Sequence, residues 1–252
     1  MPRVYDTFVF YNELDILECR LRELENSPVY RHVLVESPLT FQGKPKPMYF
    51  ADNQERFAPW SDRIIHVTAE IGGDEPGQPA WLPWAREAAQ REAISAGLKD
   101  TDPDDVILVS DVDEIPRAST LRDHLYVPMT LLMDHYMFAV DWRHPALWRG
   151  TTVAQMKNIT SFESARRVRM EEDNPLLANS GWHFSYLGGA GAIRDKAHAF
   201  SHTEATDMLC QGAEDLYQQG RGMGVQLDAV DIDSTFPRWI QARECPQNWF
   251  RP

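Results

Sequence analysis

Asp104-Asp105-Val106-Ile107-Leu108-Val109-Ser110-Asp111-Val112-Asp113-Glu114-Ile115-Pro116 is the stretch on which the fold turns. Four apolar residues in a row, Val106 to Val109, suit a strand buried on both faces and are too few for an ordinary helix. They run straight into acids, so the strand ends in carboxylates. On extended backbone the side chains of Asp111 and Asp113 leave the same face about 7 Å apart, close enough to serve one divalent ion and its ligands. Open α/β sheets bind ligands at the carboxyl ends of their strands. The plainer reading is a solvated turn opening a helix at Pro116; the long hydrophobic lead-in favours the ligand site.

Upstream, strand and helix alternate. Thr7 to Tyr11 reads as a buried strand, followed by a polar turn and a helix with Leu14, Leu17, Leu21 and Leu24 on one side. Tyr30 to Glu36 is a second strand ending in an acid, and Ile64 to Val67 a short third. Between the second and third lies a Pro-, Gly- and Lys-rich loop, Ser37 to Pro47. Gly72 to Pro79 reads as a flexible connection. Pro83 opens a helix that ends near Gly97, with Trp84, Ala88, Arg91 and Leu98 on one stripe. An arginine on that stripe either snorkels to the edge or reaches an anion in a cleft. The alternation implies an α/β fold with a mostly parallel central sheet, helices on both faces and a cleft at the carboxyl edge.

Downstream the pattern changes. Thr130 to Val140 and Val153 to Met156 read as strands, with Asp141 to Gly150 between them as a loop holding two Trp, two Arg and one His. Such a loop suits either a sugar-binding surface or the edge of a Trp-rich core. Gly181-Trp182-His183-Phe184-Ser185-Tyr186-Leu187-Gly188-Gly189 suggests a chain bending tightly around something, with a histidine that can supply the nitrogen ligand carboxylates lack. Lys196, His198, His202 and Glu204 follow, then an amphipathic helix from Ala205 to Gln219 with Met208, Leu209 and Leu216. The aromatic tail, through Trp239, Trp249 and Phe250, covers either the core or the cleft. Arg166-Arg167-Val168-Arg169 is a small basic cluster, read as a solvated strand that could also touch an anionic acceptor.

Composition narrows the classes. The 252 residues are 43% hydrophobic, with eight Trp, enough for a substantial core in one domain. Lys plus Arg number 25 against 38 Asp plus Glu, a formal charge of −13, which disfavours nucleic acid as a partner. Cys19, Cys210 and Cys245 lack metal-type spacing and read as reduced thiols, Cys19 in the core. With no basic region leading into an apolar run and no apolar stretch near eighteen residues, the expectation is a soluble, cytoplasmic protein. It would have no signal peptide, anchor or membrane insertion, and a bacterial or viral origin.

Five motifs in order carry a resemblance. Phe10-Tyr11-Asn12-Glu13-Leu14-Asp15 with Leu17-Glu18 and Arg20-Leu21, Val35-Glu36-Ser37 with Thr40-Phe41-x-Gly43-Lys44-x-Lys46-Pro47, and Ser110 to Pro116 are the first three. Gly181 to Tyr186, then Lys196 with Ser201-His202, complete them. The chain resembles glycosyltransferase family 17 over most of residues 5 to 204. The resemblance implies a GT-A type nucleotide-sugar-binding fold forming one domain over 1–252. Residues 1–116 would be the nucleotide-binding half and 117–252 the acceptor-binding half with the C-terminal elements. It also implies metal-dependent, inverting transfer of GlcNAc or another hexose from a UDP-sugar to an acceptor hydroxyl. The acceptor would be a glycan or other glycoconjugate, or a modified nucleobase in a viral setting.

The resemblance also distributes roles. Asp113 is the principal metal ligand, Asp111 a donor or metal contact, His183 the nitrogen ligand and His202 its reserve, with Mn²⁺ the first choice of ion and Mg²⁺ the second. Lys196 and Arg91 face the diphosphate; Asn12, Glu13 and Glu36 lie near the nucleoside. Trp142, Arg143 and Trp182 are candidates for the acceptor. Asp141, ahead of Glu204, is the candidate base that inversion requires. The residues suit this chemistry by themselves, because a cation held by carboxylates stabilises a leaving diphosphate. Two other classes compete: a metal-dependent phosphohydrolase or phosphotransferase using the first Asp as nucleophile, and a non-catalytic carbohydrate-binding domain.

Overall fold

In the computed structural model, which describes residues 2–73, 79–222 and 224–252, the expected strands form one sheet. Strand β1 (Val4–Phe10) is buried along its whole length. It is followed by helix α1 (Leu14–Leu24), β2 (Val29–Glu36), β3 (Ile64–Thr68), helix α2 (Leu82–Glu92) and β4 (Val106–Asp111). β1 lies between β2 and β4, parallel to both, and β3 extends the parallel set beyond β2. The chain thus runs outward from β1 in one direction and resumes on its other side at β4. That reversal opens a crevice at the carboxyl ends of β1 and β4.

Both faces of these strands are covered, which is why they read as continuous apolar runs. Phe8 and Phe10 pack with Ile16, Leu17 and Leu21 of α1. Tyr5, Ile107 and Val109 pack with Ile94, Leu98 and Phe162 on the opposite face. Full burial of each such side chain contributes about 1.5–3 kcal/mol. Trp239, Trp249 and Phe250 of the tail join the cluster around α1, so the tail covers the core, not the cleft, and Cys19 lies fully buried beside them.

Beyond β4 the sheet becomes mixed. The elements in order are β5 (Glu114–Pro116), α3 (Ala118–Asp123), β6 (Met129–Met137), β7 (Trp142–Arg143), β8 (Trp148–Gln155), α4 (Phe162–Arg167), β9 (Leu176–Leu177), β10 (Gly181–Ser185), α5 (Gly189–Ala199) and α6 (Thr206–Gln219). β8 inserts antiparallel between β4 and β6. The stretch expected as a loop, Asp141 to Gly150, therefore contains β7 and the start of β8, because antiparallel pairing extends the strand back to Trp148. β10 pairs in parallel with β6 and antiparallel with β5.

Three local expectations need correction, and a fourth falls partly outside the described residues. The buried side of α2 carries Pro83, Arg86, Gln90 and Arg91, while Trp84 is 43% exposed, because this helix turns polar side chains inward toward the crevice. Met208 is 49% exposed; Leu209, Ala213 and Leu216 are the residues of α6 that pack. Arg166 to Arg169 lie on α4 and the 3₁₀ turn after it, not on a strand, and Arg166 is buried. Of the connection Gly72 to Pro79, residues 74–78 lie outside the described residues.

Candidate active site

Arg20 sets the shape of the acidic turn. Its guanidinium is fully buried, pairs with Asp6, and donates to the carbonyls of Asp111 (3.1 Å), Val112 (3.1 Å) and Glu114 (2.6 Å). A further N–H bonds Ser110 Oγ at 2.7 Å, and His32 Nδ1 lies 2.9 Å from Asp6. With three carbonyls held by one planar donor, the turn between β4 and β5 is fixed from below. The carboxylates of Asp111 and Asp113 line the crevice above it, a cavity of about 490 Å³.

The two carboxylates meet different partners. Asp111 accepts from Arg91 Nη2 of α2 (3.0 Å) and from Arg166 Nη2 of α4 (2.8 Å). Burial opposes its charge, but Arg166, Arg91 and Arg169 outweigh it and hold the carboxyl far below its usual range. Arg166 also bonds Glu114, which accepts from Trp148 Nε1 at 2.6 Å. Arg91 continues to Glu87 (2.9 Å) and Glu163. Asp113 faces the other way. Lys196 Nζ of α5 lies 2.8 Å from Oδ2, and His183 Nε2 lies 3.6 Å from Oδ1. Burial again opposes charge at Asp113, and Lys196 and His183 outweigh it.

β10 delivers His183. Its backbone pairs with β5, placing His183 opposite Glu114, and Phe184 N–H donates to the Asp113 carbonyl at 2.9 Å. This close approach explains the leading glycine of the Gly-Trp-His-Phe motif: a Cβ at Gly181 would stand 2.3 Å from the Ile115 carbonyl oxygen. Trp148 stacks on the His183 ring at 4.3 Å between centroids, and His135 on it at 4.8 Å. Burial lowers the His183 pKa against the pull of Asp113, and pushes His135 down to about 2, so both imidazoles are neutral at neutral pH.

A neutral imidazole and an ionised carboxylate are the donor types a divalent ion such as Mn²⁺ accepts. Two ligands on one ion with bonds of roughly 2.1 Å stand about 3–4 Å apart, which the 3.6 Å gap between Asp113 and His183 matches. His183 Nδ1 is buried without a hydrogen-bond partner. Among the described residues no three His, Cys, Asp or Glu side chains converge on one point. The donor set therefore fits an ion that takes its remaining ligands from a bound phosphate and water, the habit of small hard cations at nucleotide sites.

The other expected residues are distributed unevenly. Glu13 lines the cavity, with Oε2 accepting from the Tyr11 and Asn12 N–H groups at 3.1 Å each and Oε1 lying 3.5 Å from Lys196. Glu36 is buried away from the cavity lining, accepting from Phe50 N–H (3.0 Å) with His66 at 3.2 Å. His202 lines the mouth, its ring edge-on to Trp84 (4.5 Å) and its Nδ1 2.7 Å from Glu204, which is exposed. Asp141 lies outside the cavity lining and pairs with Arg251 at 2.9 Å. Trp142 donates to the Tyr217 carbonyl, Arg143 pairs with Asp134, and Trp182 is buried under Arg117; none of the three lines the cavity. Sequence reasoning missed His135 and Glu87, which line it, and gave Trp148 and Arg169, which also line it, only the general roles of a sugar-binding loop and a basic cluster.

The family model described as Glycosyltransferase family 17 matches residues 1–219. The chain belongs to glycosyltransferase family 17. Its curated relatives include the human β-1,4-mannosyl-glycoprotein 4-β-N-acetylglucosaminyltransferase, 25% identical over a 181-residue alignment, with 67% of this chain and 34% of the human protein covered. The rat enzyme of the same name is also 25% identical over 181 residues. The chain thus spans about a third of the length of the curated relatives it matches. Among solved structures, S. aureus TarS 1-349 overlaps 83% of this chain and 69% of its own at a TM-score of 0.42 and 11% identity. The family 17 match takes in every residue of the two carboxylate clusters, from Glu13 to Lys196. No helix among the described residues is long and apolar enough to cross a membrane.

Proposed function

We propose that this chain transfers a hexose, GlcNAc as the first candidate, from a UDP-sugar to a hydroxyl of a glycan or glycoconjugate, with inversion at the sugar carbon. The observation that carries this reading is the pairing of Asp113 with Lys196 and His183 inside the crevice where β1 and β4 diverge. Transfer leaves a nucleoside diphosphate, and cations fixed in a desolvated cleft stabilise its developing charge. Lys196 and Arg169 both line the cavity and would supply such cations. Asp113 and His183 would hold a divalent ion, Mn²⁺ first and Mg²⁺ second, which when bound supplies Lewis-acid stabilisation of the leaving group. The aromatic residues Tyr11, Phe41, Trp84 and Phe200 offer faces for a base or a sugar along the same cavity.

Phosphotransfer from Asp111 is the less favoured chemistry. Each oxygen of Asp111 accepts from an arginine, Arg91 or Arg166, and the guanidiniums that hold its carboxyl far below the usual range make it a poor nucleophile. The deciding experiment is thermal unfolding with UDP, Mn²⁺ or both, followed by a screen of nucleotide sugars for slow donor hydrolysis. A ligand that binds only the folded state raises the Tm. The expected outcome is a shift with both together larger than the sum of the two alone, and abolished in Asp113→Ala. Release of phosphate from simple phosphomonoesters, with no response to UDP, would replace this reading by the phosphohydrolase one.

A further inference from the structure

We infer that Lys196 is a tethered counter-ion that keeps Asp113 closed to free metal ions, and that an arriving nucleoside diphosphate draws its ammonium away and so opens the carboxylate to a divalent cation. This rests on the donor reading above and goes one step beyond it, to the order and coupling of binding.

The geometry is specific. Lys196 Nζ sits 2.8 Å from Asp113 Oδ2 and 3.5 Å from Glu13 Oε1, with only 11% of its side chain exposed. The ammonium also lies over the rings of Tyr186 and Phe200, 5.3 and 5.4 Å from their centroids. The other oxygen of Asp113 faces His183. A metal ion entering between Asp113 and His183 would therefore meet a unit positive charge already seated on the same carboxylate. In a desolvated cleft that repulsion is poorly screened.

Lysine suits a displaceable partner. Its ammonium is a point charge on a flexible four-carbon stem, whereas arginine binds through a fixed fork. The contrast is present within this one turn. Asp111 is gripped by two guanidiniums anchored on α2 and α4, which are further tied to Glu87, Glu163 and Glu114. Asp113 is covered by one ammonium in the last turn of α5, at the edge of the open cavity. A diphosphate in that cavity offers the ammonium a second anion and brings the remaining ligands that the two protein donors lack. Metal and nucleotide should then each tighten the other by the same factor, because coupling between two sites is reciprocal.

The test follows free Mn²⁺ by its electron paramagnetic resonance signal, with and without UDP, on the full chain, with folding checked by circular dichroism. In the wild type, Mn²⁺ alone should bind weakly and UDP should tighten it by roughly tenfold or more. In Lys196→Met, which keeps the stem but removes the charge, Mn²⁺ alone should bind roughly tenfold more tightly than in the wild type, and the effect of UDP should shrink to the part that comes from phosphate ligation of the ion. Lys196→Arg retains the charge and should leave Mn²⁺ alone as weakly bound as before. If Lys196→Met does not fold, Lys196→Gln carries the same expectation. Unchanged Mn²⁺ affinity in the neutral variants, or undiminished UDP coupling, overturns the inference while leaving the donor reading intact. Failure of UDP to bind the wild type under any condition overturns both.

Discussion

Asp111 and Asp113 are two residues apart on one turn, yet they belong to different parts of the machine. Asp111 is wired into the scaffold: both its oxygens are taken by arginines from two helices, and those arginines are tied to three further carboxylates. Asp113 lines the same cavity but is more buried, 8% of its side chain exposed against 31% for Asp111, and its neighbours are a lysine and an imidazole with an unpartnered nitrogen. A paired acid motif is thus not two equivalent ligands. One carboxylate is held by two guanidiniums, the other by an ammonium beside an imidazole.

The sharpest way to break this contrast is to strip the scaffold side. Arg166→Leu leaves the fully buried Glu114 short of its closest cation and should cost about 3–5 kcal/mol of stability, read from the urea midpoint. A loss under about 1 kcal/mol would mean that the Asp111 network is dispensable. On the chemical side, Asp113→Asn should lower the transfer rate by roughly 10²–10³-fold, the scale of losing one group that stabilises transition-state charge. Its stability should fall by less than that of Arg166→Leu, because Lys196 keeps Glu13 at 3.5 Å as a partner. Equal damage to folding in both variants would erase the distinction.

Acid should weaken the Asp113 side first. His135 has an ordinary pKa of 6.5 and is pushed down to about 2 in the fold, and burial also lowers His183 and His32. The unfolded chain therefore binds more protons below pH 6.5, and stability, fully present above that value, falls as pH drops through it. For His135 the loss is about 1.4 kcal/mol per pH unit below its unfolded pKa. Urea midpoints at pH 7.5 and 5.5 should show the loss, and His135→Gln should flatten it. The arginines around Asp111 do not titrate in this window.

The smallest effect separates the two histidines proposed as ligands. His202→Ala should change Mn²⁺ affinity in the presence of UDP by about twofold or less, because its ring rests on Trp84 and its Nδ1 faces Glu204. His183→Ala should lower that affinity by roughly tenfold or more, the scale of damage to a metal site's support. Calorimetric titration of both variants checks the order; a reversed order would move the site to the cavity mouth.

Some of this was legible in the chain. Val106 to Val109 running into Asp111 and Asp113 is a local signal, since a buried strand and the acids after it are contiguous, and the parallel set of β1 to β4 followed from it. Lys196 and His183 were picked out by motif. Their convergence on Asp113 was not readable, because Lys196 is 83 residues from its partner. Arg166 was read as solvated because three arginines within four residues have no local partner; its partner Asp111 lies 55 residues away. Trp148 looked like part of a loop until antiparallel pairing with β6 placed it on β8, over His183.

By itself the sequence determined the strand-to-carboxylate junction, the parallel α/β order of the first half, and membership of a family of sugar-transferring enzymes. These depend on contiguous hydrophobic pattern and short motifs, which are encoded locally. Only the tertiary structure decided which carboxylate is gripped by two arginines and which by a lysine, because that depends on which cations arrive from α2, α4 and α5. Charge pairing across 20 to 83 residues leaves no periodic trace in the chain. It is set when β8 and β10 pack beside β4 and β5 and the helices close over the turn that Arg20 holds.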